Sequence, residues 1–277
     1  MADTLAADKG LMQVPAGGYG AVLAEVLAPW RARAGDAPIL MSGMVGSRQG
    51  WVEAPYASLP ARIEDLAAAT VAVDAPGFAD LAIVPGLAAG TDGTTWGDVM
   101  RGEETEVFGA LAELGRRDAT LVLPGSHAKW VRVKDGAVVS FETFMTGEVF
   151  DALARHTILS KMMPLGGDDA ASFARGVAAG RELDAPGRLL TRLFNIRAET
   201  LFGRMEEAGA ADFLSGLLIG AEVAAAAGDA REVVVVGAAG LAARYRSALD
   251  QMGIAAVAAP PQAAATGLRL IAAARAR

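Results

Sequence analysis

Short apolar runs that end in glycine, proline or serine recur along the chain and predict buried β-strands that lead into tight turns. The clearest run is Leu-Val-Leu at residues 121–123, which is followed by Pro-Gly-Ser at 124–126. Residues 130–133, Trp-Val-Arg-Val, then alternate apolar and polar side chains as a half-buried strand does, and they lead to a turn at 134–136. We therefore predict a β-hairpin over residues 121–133.

The turn of this hairpin is a candidate anion site. Its backbone N–H groups, the Ser126 hydroxyl and the Lys129 ammonium are the kinds of donor that hold a phosphate. An ordinary hairpin, in which glycine and proline only form the turn, accounts for the same residues. The motif by itself leaves both interpretations open.

The other periodic segments predict an α/β chain. Helical spacing is found at residues 19–33, 103–114, 170–179, 188–207, 241–252 and 262–276, and at a helix for which Thr146 is the predicted N-cap. Further strands are predicted at residues 39–41, 81–84, 137–141, 233–236 and 254–258, and residues 11–14 contain at most a short strand. From residue 119 onward the order is three strands, several helices, and then strand, helix, strand, helix. This order describes one lobe of the actin, sugar-kinase and Hsp70-like ATPase fold.

Two glycine-containing turns follow predicted strands, at residues 42–47 and 237–240. The carboxyl ends of strands are where α/β sheets bind ligands, because backbone groups can approach a ligand closely there. Glycine that is needed only for the dihedral angles of a loop explains residues 42–47 equally well. The second turn leads into a helix N-terminus but lacks the spacing of a dinucleotide fingerprint. Gly216 and Gly220 lie one turn apart on a predicted helix, which indicates a tight helix contact or a hinge between lobes.

Arg101, Glu103 and Glu104 stand at the predicted start of helix 103–114. The helix dipole alone accounts for acidic residues in a first turn. A functional role would require one carboxylate to accept a proton from a substrate hydroxyl, and Arg101 to hold a carboxylate or phosphate. The sequence does not decide which of the two glutamates has this role.

Length and composition narrow the class of protein. The chain has 277 residues, enough for two lobes, and 53% are hydrophobic, but no apolar run reaches the roughly 20 residues of a membrane-spanning helix. The net charge is −7 and the basic residues are scattered, which argues against nucleic acid or a membrane as a partner. Cysteine is absent, which excludes disulfides and thiolate chemistry. We expect a cytoplasmic protein that binds small molecules, for which a homodimer is one possible assembly.

Several longer motifs carry a family resemblance. They are residues 41–47 with Trp51 and 54–56, then 85–87, Met-Arg-Gly-Glu-Glu-Thr at 100–105, Pro-Gly-Ser-His-Ala-Lys-Trp-Val at 124–131, 145–148, 213–222 and 243–245. Through these motifs the chain resembles the 2-dehydro-3-deoxygalactonokinase family over nearly its whole length. The resemblance implies a two-lobed ribonuclease-H-like α/β fold of the actin and sugar-kinase type, with the ligand cleft between the lobes. Residues 1–117 would form the sugar-acid lobe and residues 118–277 the nucleotide lobe.

The resemblance also implies a reaction, in which ATP with Mg²⁺ phosphorylates the 6-hydroxyl of 2-dehydro-3-deoxy-D-galactonate during galactonate breakdown. The implied catalytic residues are Arg101, Glu103 and Glu104. The implied nucleotide-binding residues are Gly125, Ser126, His127, Lys129, Gly237, Ala238 and Gly240. The implied substrate-binding residues are Gly43, Met44, Gly46, Ser47, Trp51, Thr146 and Glu148. No metal ligand is assigned.

One departure from the family pattern concerns the start of the chain. The family begins with a strand hairpin that carries an Asp-x-Gly-Thr phosphate loop, and no such motif precedes Ala21. We therefore expect the first lobe to lack its N-terminal strand hairpin. A start codon assigned downstream of the true one is the favoured explanation, because every later motif is present. The alternative is a weakly active or non-catalytic sugar-acid-binding relative.

A serine hydrolase is the alternative from another class of enzyme. Ser126 would act with His127 or His156. Adjacent serine and histidine side chains cannot readily form the required hydrogen bond, and no Gly-x-Ser-x-Gly motif surrounds Ser126. The sequence therefore disfavours this hypothesis.

Overall fold

The computed structural model describes residues 3–10, 13–183, 185 and 187–276. The chain forms two compact units, Met1–Gly115 together with Gln262–Arg277, and Arg116–Pro261. Residues 11 and 12, which begin the segment with the predicted short strand at 11–14, lie outside the described residues.

The first unit contains short strands and helices. In chain order its elements are α1 (Tyr19–Ala34), β1 (Ile39–Met41), β2 (Ala57–Ser58), α2 (Ile63–Ala68), β3 (Val71–Ala72), β4 (Leu81–Ile83), β5 (Leu87–Ala89), β6 (Asp98–Met100) and α3 (Glu103–Leu114), and the last helix of the chain, Ala263–Arg275, completes it. One sheet has the strand order β1-β4-β3 and the other has the order β2-β5-β6. Each sheet has one parallel pair, β1 with β4 and β2 with β5, and one antiparallel pair, β3 with β4 and β5 with β6, so both sheets are mixed.

The last helix packs on α3, where the Thr266 hydroxyl donates a hydrogen bond to the Glu113 carboxylate. By packing, this helix therefore belongs to the first unit, whereas the sequence-based division after residue 117 places it in the second lobe. Thr266 and Glu113 are 153 residues apart in the chain. Local sequence patterns do not predict a contact between residues so far apart.

The second unit is built on one five-stranded sheet. Its elements are β7 (Ala119–Leu123), β8 (Ala128–Lys134), β9 (Ala137–Phe144), α4 (Thr146–His156), α5 (Ala170–Arg181), α6 (Arg188–Leu201), α7 (Glu207–Ala226), β10 (Glu232–Val235), α8 (Ala239–Gln251) and β11 (Ala255–Ala258), after which the last helix is α9. The strand order is β11-β10-β7-β8-β9, with antiparallel pairing in the meander β7-β8-β9 and parallel pairing of β7 with β10 and of β10 with β11. The predicted hairpin and the predicted order of three strands followed by alternating strands and helices are confirmed.

Two details of the predicted helices are wrong. The helix predicted over 188–207 is shorter than expected: α6 ends at Leu201, Gly203 follows with a φ of 68°, a left-handed conformation that breaks the helix, and α7 begins only at Glu207. Thr146 is the first residue of α4 rather than its N-cap, a position that Met145 occupies.

The glycines of α7 pack against α5. A Cβ atom on Gly216 would lie 2.9 Å from the backbone N of Val177, and one on Gly220 would lie 2.8 Å from the Val177 Cα. The tight helix contact predicted from their spacing is confirmed. Among the described residues, α7 is the helix that is long and apolar enough to cross a membrane, but 67% of its most apolar stretch is buried inside the protein.

Candidate functional site

The glycine turn after β1 lies directly over Arg101. Residues Met44–Gly46 form one 3₁₀ turn, and Gly46 is buried. A Cβ atom on Gly46 would lie 2.6 Å from Ile83 Cγ2 and 3.1 Å from Arg101 Nη1. Only glycine therefore allows this turn to approach the guanidinium group so closely.

Arg101 follows β6, and two contacts fix its guanidinium group. Its Nη2 donates a hydrogen bond to the Ala54 carbonyl at 2.8 Å, and its Cζ lies 4.2 Å from the centre of the Tyr56 ring. Gly102, which has a φ of 108°, lies close to the glycine turn after β1. A Cβ atom on Gly102 would be only 3.2 Å from Gly43 Cα. The structure thus brings together two of the predicted site segments, 43–47 and 101–104.

The two glutamates at the start of α3 fold back on the backbone that precedes them. Glu103 Oε2 accepts a hydrogen bond from the N–H of Arg101 at 2.9 Å, and Glu104 Oε2 accepts one from the N–H of Gly102 at 2.7 Å. Gly102 is the N-cap residue and has no side chain to cap the helix, so the glutamates satisfy backbone N–H groups there. Both carboxylates therefore have a structural role, whatever else they do.

Glu104 differs from Glu103 in its burial. The side chain of Glu104 is completely buried, whereas Glu103 is half-buried. Burial raises the pKa of Glu104 to about 8, with a smaller contribution from the nearby charge of Glu103, and hydrogen bonds from the Glu104 and Gly102 backbone oppose the shift. Glu104 is therefore mostly protonated at neutral pH.

The same segments contain buried polar atoms that lack partners. Among the residues that the structure describes, the buried side-chain N and O atoms without a hydrogen-bond partner are Ser47 Oγ, Arg101 Nε and Nη1, and Glu104 Oε1. Buried polar groups are nearly always hydrogen-bonded in folded proteins, so unpaired groups mark places where a water or ligand binds. That all of them occur in residues 47 and 101–104 points to a polar binding site in the first unit.

The other residues predicted to bind substrate in the first unit have different surroundings. Met44 is half-exposed, at 51%. Trp51 stacks on Tyr19, with ring centroids 5.8 Å apart, and packs against the apolar core of the unit. Its backbone N–H donates to the Val45 carbonyl at 2.8 Å, which holds the glycine turn in place. The structure thus shows a packing contribution from Trp51.

In the second unit, the two loops predicted to bind nucleotide are neighbours. Strands β7 and β10 pair in parallel, so the loops at their carboxyl ends emerge at the same edge of the sheet. The Val236 N–H donates to the Val122 carbonyl at 2.9 Å, and a Cβ atom on Gly237 would lie 3.6 Å from the Pro124 carbonyl O. Helix α8 begins at Ala239, and no side chain caps its N-terminus after Ala238. This edge therefore presents the backbone of a turn and the positive end of a helix dipole together.

Helix α4 supports the hairpin loop from the other side. The Glu148 N–H donates to the Ser126 carbonyl at 3.0 Å. A Cβ atom on Gly147 would overlap the Gly125 carbonyl and lie 2.8 Å from Ser126 Cα. His127 Nε2 contacts the Glu148 carboxylate, so a residue predicted for nucleotide and one predicted for substrate lie side by side.

Lys129 and Gly240 complete the predicted nucleotide residues. Lys129 is 6% exposed, and its Nζ donates to the Thr143 hydroxyl across the β8–β9 pair at 2.7 Å. Its ammonium group is therefore directed at β9. Gly240 lies in the first turn of α8, and a Cβ atom there would have open space around it.

The sequence assigned no role to a buried carboxylate in this unit. Glu222 of α7 accepts hydrogen bonds from Trp130 Nε1 and from the Tyr245 hydroxyl, each at 2.8 Å, and the Thr146 hydroxyl hydrogen-bonds to it as well. Thr146, predicted to bind substrate, is therefore a half-buried residue next to this carboxylate. Glu222 and Tyr245 both lie in motifs that carry the family resemblance, and this was the available signal, but no local pattern predicts their contact.

The described residues contain no group of three or more His, Cys, Asp or Glu side chains arranged to hold a metal ion. The structure therefore assigns no metal ligands.

Comparison with known proteins identifies the family. The family model described as 2-keto-3-deoxy-galactonokinase matches residues 1–271. A probable 2-dehydro-3-deoxygalactonokinase, DgoK1, of Rhizobium meliloti (strain 1021) is 42% identical over 225 residues, which are 78% of this chain and 71% of that protein. The 2-dehydro-3-deoxygalactonokinase of Escherichia coli (strain K12) is 37% identical over 236 residues, 84% of this chain and 76% of that protein.

A solved structure agrees with these sequence matches. The crystal structure of a candidate 2-dehydro-3-deoxygalactonokinase protein from Sinorhizobium meliloti superposes with a TM-score of 0.87 at 40% identity, over 97% of this chain and 89% of that one. The sequence matches, the motifs and the superposed backbone thus indicate the same family over nearly the whole chain. The chain belongs to the 2-keto-3-deoxy-galactonokinase family.

Proposed function

We propose that the protein transfers the terminal phosphoryl group of ATP to the 6-hydroxyl of 2-dehydro-3-deoxy-D-galactonate, a step of galactonate breakdown. The observation that carries this proposal is the family match over residues 1–271, with two relatives of that name at 37% and 42% identity. The predicted alternatives, a non-catalytic relative and a serine hydrolase, find no support in these matches.

The second unit supplies the proposed nucleotide site. Pro124, which directly precedes Gly125 and Ser126, lies beside the turn that leads into α8, so backbone N–H groups, a hydroxyl and a helix N-terminus would be available to one phosphate tail. The tight contact of Gly147 with the hairpin loop keeps that loop close to α4. Gly237, Ala238 and Gly240 would contact the adenosine side. The side chains of His127 and Lys129 contact Glu148 and Thr143 here, and their contacts with phosphate stay predictions.

The first unit supplies the proposed sugar-acid site. A sugar acid carries a carboxylate and several hydroxyls, which are the groups that the unpaired atoms of Ser47, Arg101 and Glu104 need. Gly43, Met44 and Gly46 would contribute through the turn that covers Arg101. Thr146 and Glu148 stay predictions as substrate contacts.

Phosphoryl transfer depends mainly on positioning and charge neutralisation. Mg²⁺ bound with ATP would neutralise phosphate charge, and it is usually held by one or two carboxylates together with the phosphates, so no cluster of acids is required. We assign the general base to Glu103, because its carboxylate is only half-buried and a substrate hydroxyl could reach it, whereas Glu104 is completely buried. Glu104, mostly protonated at neutral pH, would instead hold Gly102 and donate a hydrogen bond.

We extend the proposal to the fold class and location. The strand order of the second unit, a three-stranded meander followed by two parallel strands, supports a ribonuclease-H-like unit of the actin and sugar-kinase type. The proposed partners are the two small-molecule substrates, and the proposed location is the cytoplasm. A homodimer stays a prediction from the sequence.

The test is a kinase assay with the purified protein, ATP, MgCl₂ and 2-dehydro-3-deoxy-D-galactonate. ADP formation should depend on the sugar acid, and ³¹P NMR should show a phosphomonoester coupled to the two protons of C6. The C4 epimer, 2-dehydro-3-deoxy-D-gluconate, serves as the matched substrate control for specificity. Absence of sugar-dependent ADP formation with either epimer would overturn the proposal.

A further inference from the structure

A completely enclosed carboxylate joins three elements of the second unit. Glu222 is 3% exposed, and its two oxygens accept hydrogen bonds from Trp130 Nε1 and the Tyr245 hydroxyl at 2.8 Å each. The Thr146 hydroxyl hydrogen-bonds to the same carboxylate. Trp130 lies in β8, Thr146 in α4 and Tyr245 in α8, so one side chain of α7 ties them together.

Such an arrangement is costly unless every partner is in place. Removing a carboxylate from water is unfavourable by several kcal/mol, and hydrogen bonds from well-placed donors compensate for it. Burial accordingly raises the pKa of Glu222, while the hydrogen bonds from Thr146, Trp130 and Tyr245 lower it. Movement of any one donor would leave buried polar atoms unpaired, so the three elements are held in one fixed arrangement.

Each of these donors is close in the chain to a proposed nucleotide-binding segment. The hairpin loop 124–127 ends at His127, and Trp130 follows three residues later. Thr146 precedes Gly147, whose backbone packs against Gly125 and Ser126. Tyr245 lies in α8, which begins immediately after the turn at 237 and 238.

We propose that Glu222 is a positioning residue for nucleotide binding, which sets the hairpin loop 124–127, on the phosphate side, and the turn 237–240, on the adenosine side, at the separation that ATP requires. This inference rests on the proposed function, since it assumes that those two segments bind ATP. Glu222 itself is enclosed and touches no substrate. Its effect on ATP passes through Trp130, Thr146 and Tyr245.

The experiment compares Glu222→Gln with a matched control, Asp212→Asn. Asp212 is also a buried carboxylate of α7, and it accepts hydrogen bonds from the Asp169 N–H and the Arg244 guanidinium, so its substitution makes the same change of a carboxyl group to an amide in the same helix. Its partners lie in α8 and just before α5, so Asp212 shares α8 with Glu222 but does not join it to β8 or α4, the elements that hold the hairpin loop. Steady-state kinetics with ATP and the sugar acid, calorimetric titration of ADP and thermal unfolding are measured for both variants and the wild type.

We expect Glu222→Gln to raise the KM for ATP and the Kd for ADP by about tenfold or more, as loss of charge-assisted hydrogen bonds should, while the KM for the sugar acid changes by less than about twofold. Asp212→Asn should lower the unfolding temperature as well but leave the KM for ATP within about twofold of the wild type. Equal KM values for ATP in Glu222→Gln and the wild type would overturn the inference. A parallel loss for both substrates would also overturn it, because a general structural defect acts on both.

A milder variant keeps the test open if Glu222→Gln does not fold. Tyr245→Phe removes one hydroxyl and keeps the buried ring, and it should raise the KM for ATP by about threefold to tenfold without affecting the sugar acid. Unchanged ATP binding in this variant would count against the inference. Failure of the wild type to bind ADP or ATP would refute the proposed function instead, so the two failures are distinguishable.

Discussion

Glu104 accepts a hydrogen bond from the Gly102 backbone N–H at 2.7 Å through one carboxylate oxygen, while its other oxygen is buried without a partner. A half-satisfied carboxylate in a completely buried position favours the protonated form, because the neutral acid costs less to bury than the anion. The start of α3 therefore combines a capping role with a group whose charge depends on pH.

Stability should change with pH through Glu104. The folded-state pKa, raised by burial to about 8, lies above the ordinary value of 4.5, so the stabilisation from the bound proton is fully present below pH 4.5 and is lost as the pH rises towards 8. Glu104→Gln keeps a neutral group at this position and removes this titration. Thermal unfolding measured from pH 5 to 9 should show the variant gaining stability relative to the wild type as the pH rises, by an amount of the order of a few kcal/mol. Parallel pH profiles for the two proteins would contradict this prediction.

Glu103→Gln should lower kcat by about a hundredfold or more, as loss of a general base does, with a smaller effect on the KM for the sugar acid. The matched control is Glu106→Gln, since Glu106 lies in the same first turn of α3 and has a pKa raised mainly by burial. Steady-state kinetics at saturating ATP measure both variants. If Glu103→Gln retains the wild-type kcat, Glu103 is not the base.

Arg101→Lys should raise the KM for the sugar acid by about tenfold or more although the charge is kept, because lysine cannot reproduce the planar guanidinium group. The lost contacts are the hydrogen bond from Nη2 to Ala54 and the stacking over Tyr56. Arg48→Lys is the matched control, because Arg48 is exposed and pairs with the exposed Glu53. An equal KM in both variants would show that only the charge of Arg101 matters, or that it has no contact with the substrate.

Gly147→Ala should weaken ATP binding and destabilise the second unit. The new Cβ atom would overlap the Gly125 carbonyl and displace the hairpin loop, at a cost of about 1–3 kcal/mol. The KM for ATP and the urea midpoint of unfolding measure the two effects. Gly97→Ala is the control, since a Cβ atom there would meet nothing closer than 4.0 Å. Unaltered ATP kinetics in Gly147→Ala would mean that the position of the hairpin loop does not control nucleotide binding.

Local patterns of the sequence determined most of the secondary structure. The spacing of apolar residues predicted α1 and α3 and the hairpin of β7 and β8, because side chains repeat with the period of the element that buries them. The end of α6 was predicted at residue 207 instead of at Leu201, because the helix is broken by Gly203 in a left-handed conformation, which the spacing of apolar residues does not encode.

The motifs also determined the family. They consist of residue types in a fixed order over nearly the whole chain, and they can be recognised without knowledge of the fold. They indicated which segments matter at the candidate site, including residues 42–47, 100–105 and 124–131. They did not indicate what each side chain contacts. Lys129, for example, has the positive charge expected of a phosphate ligand, and yet its ammonium group donates a hydrogen bond to the Thr143 hydroxyl in the neighbouring strand.

Only the tertiary structure decided which segments meet and which groups are buried. It placed Gly46 over Arg101, enclosed Glu104 so that its pKa rises, and set Glu222 among Trp130, Thr146 and Tyr245. These contacts join residues tens of positions apart in the chain. Burial and hydrogen bonding of this kind arise from the packing of whole elements, and so no local period or short motif contains them.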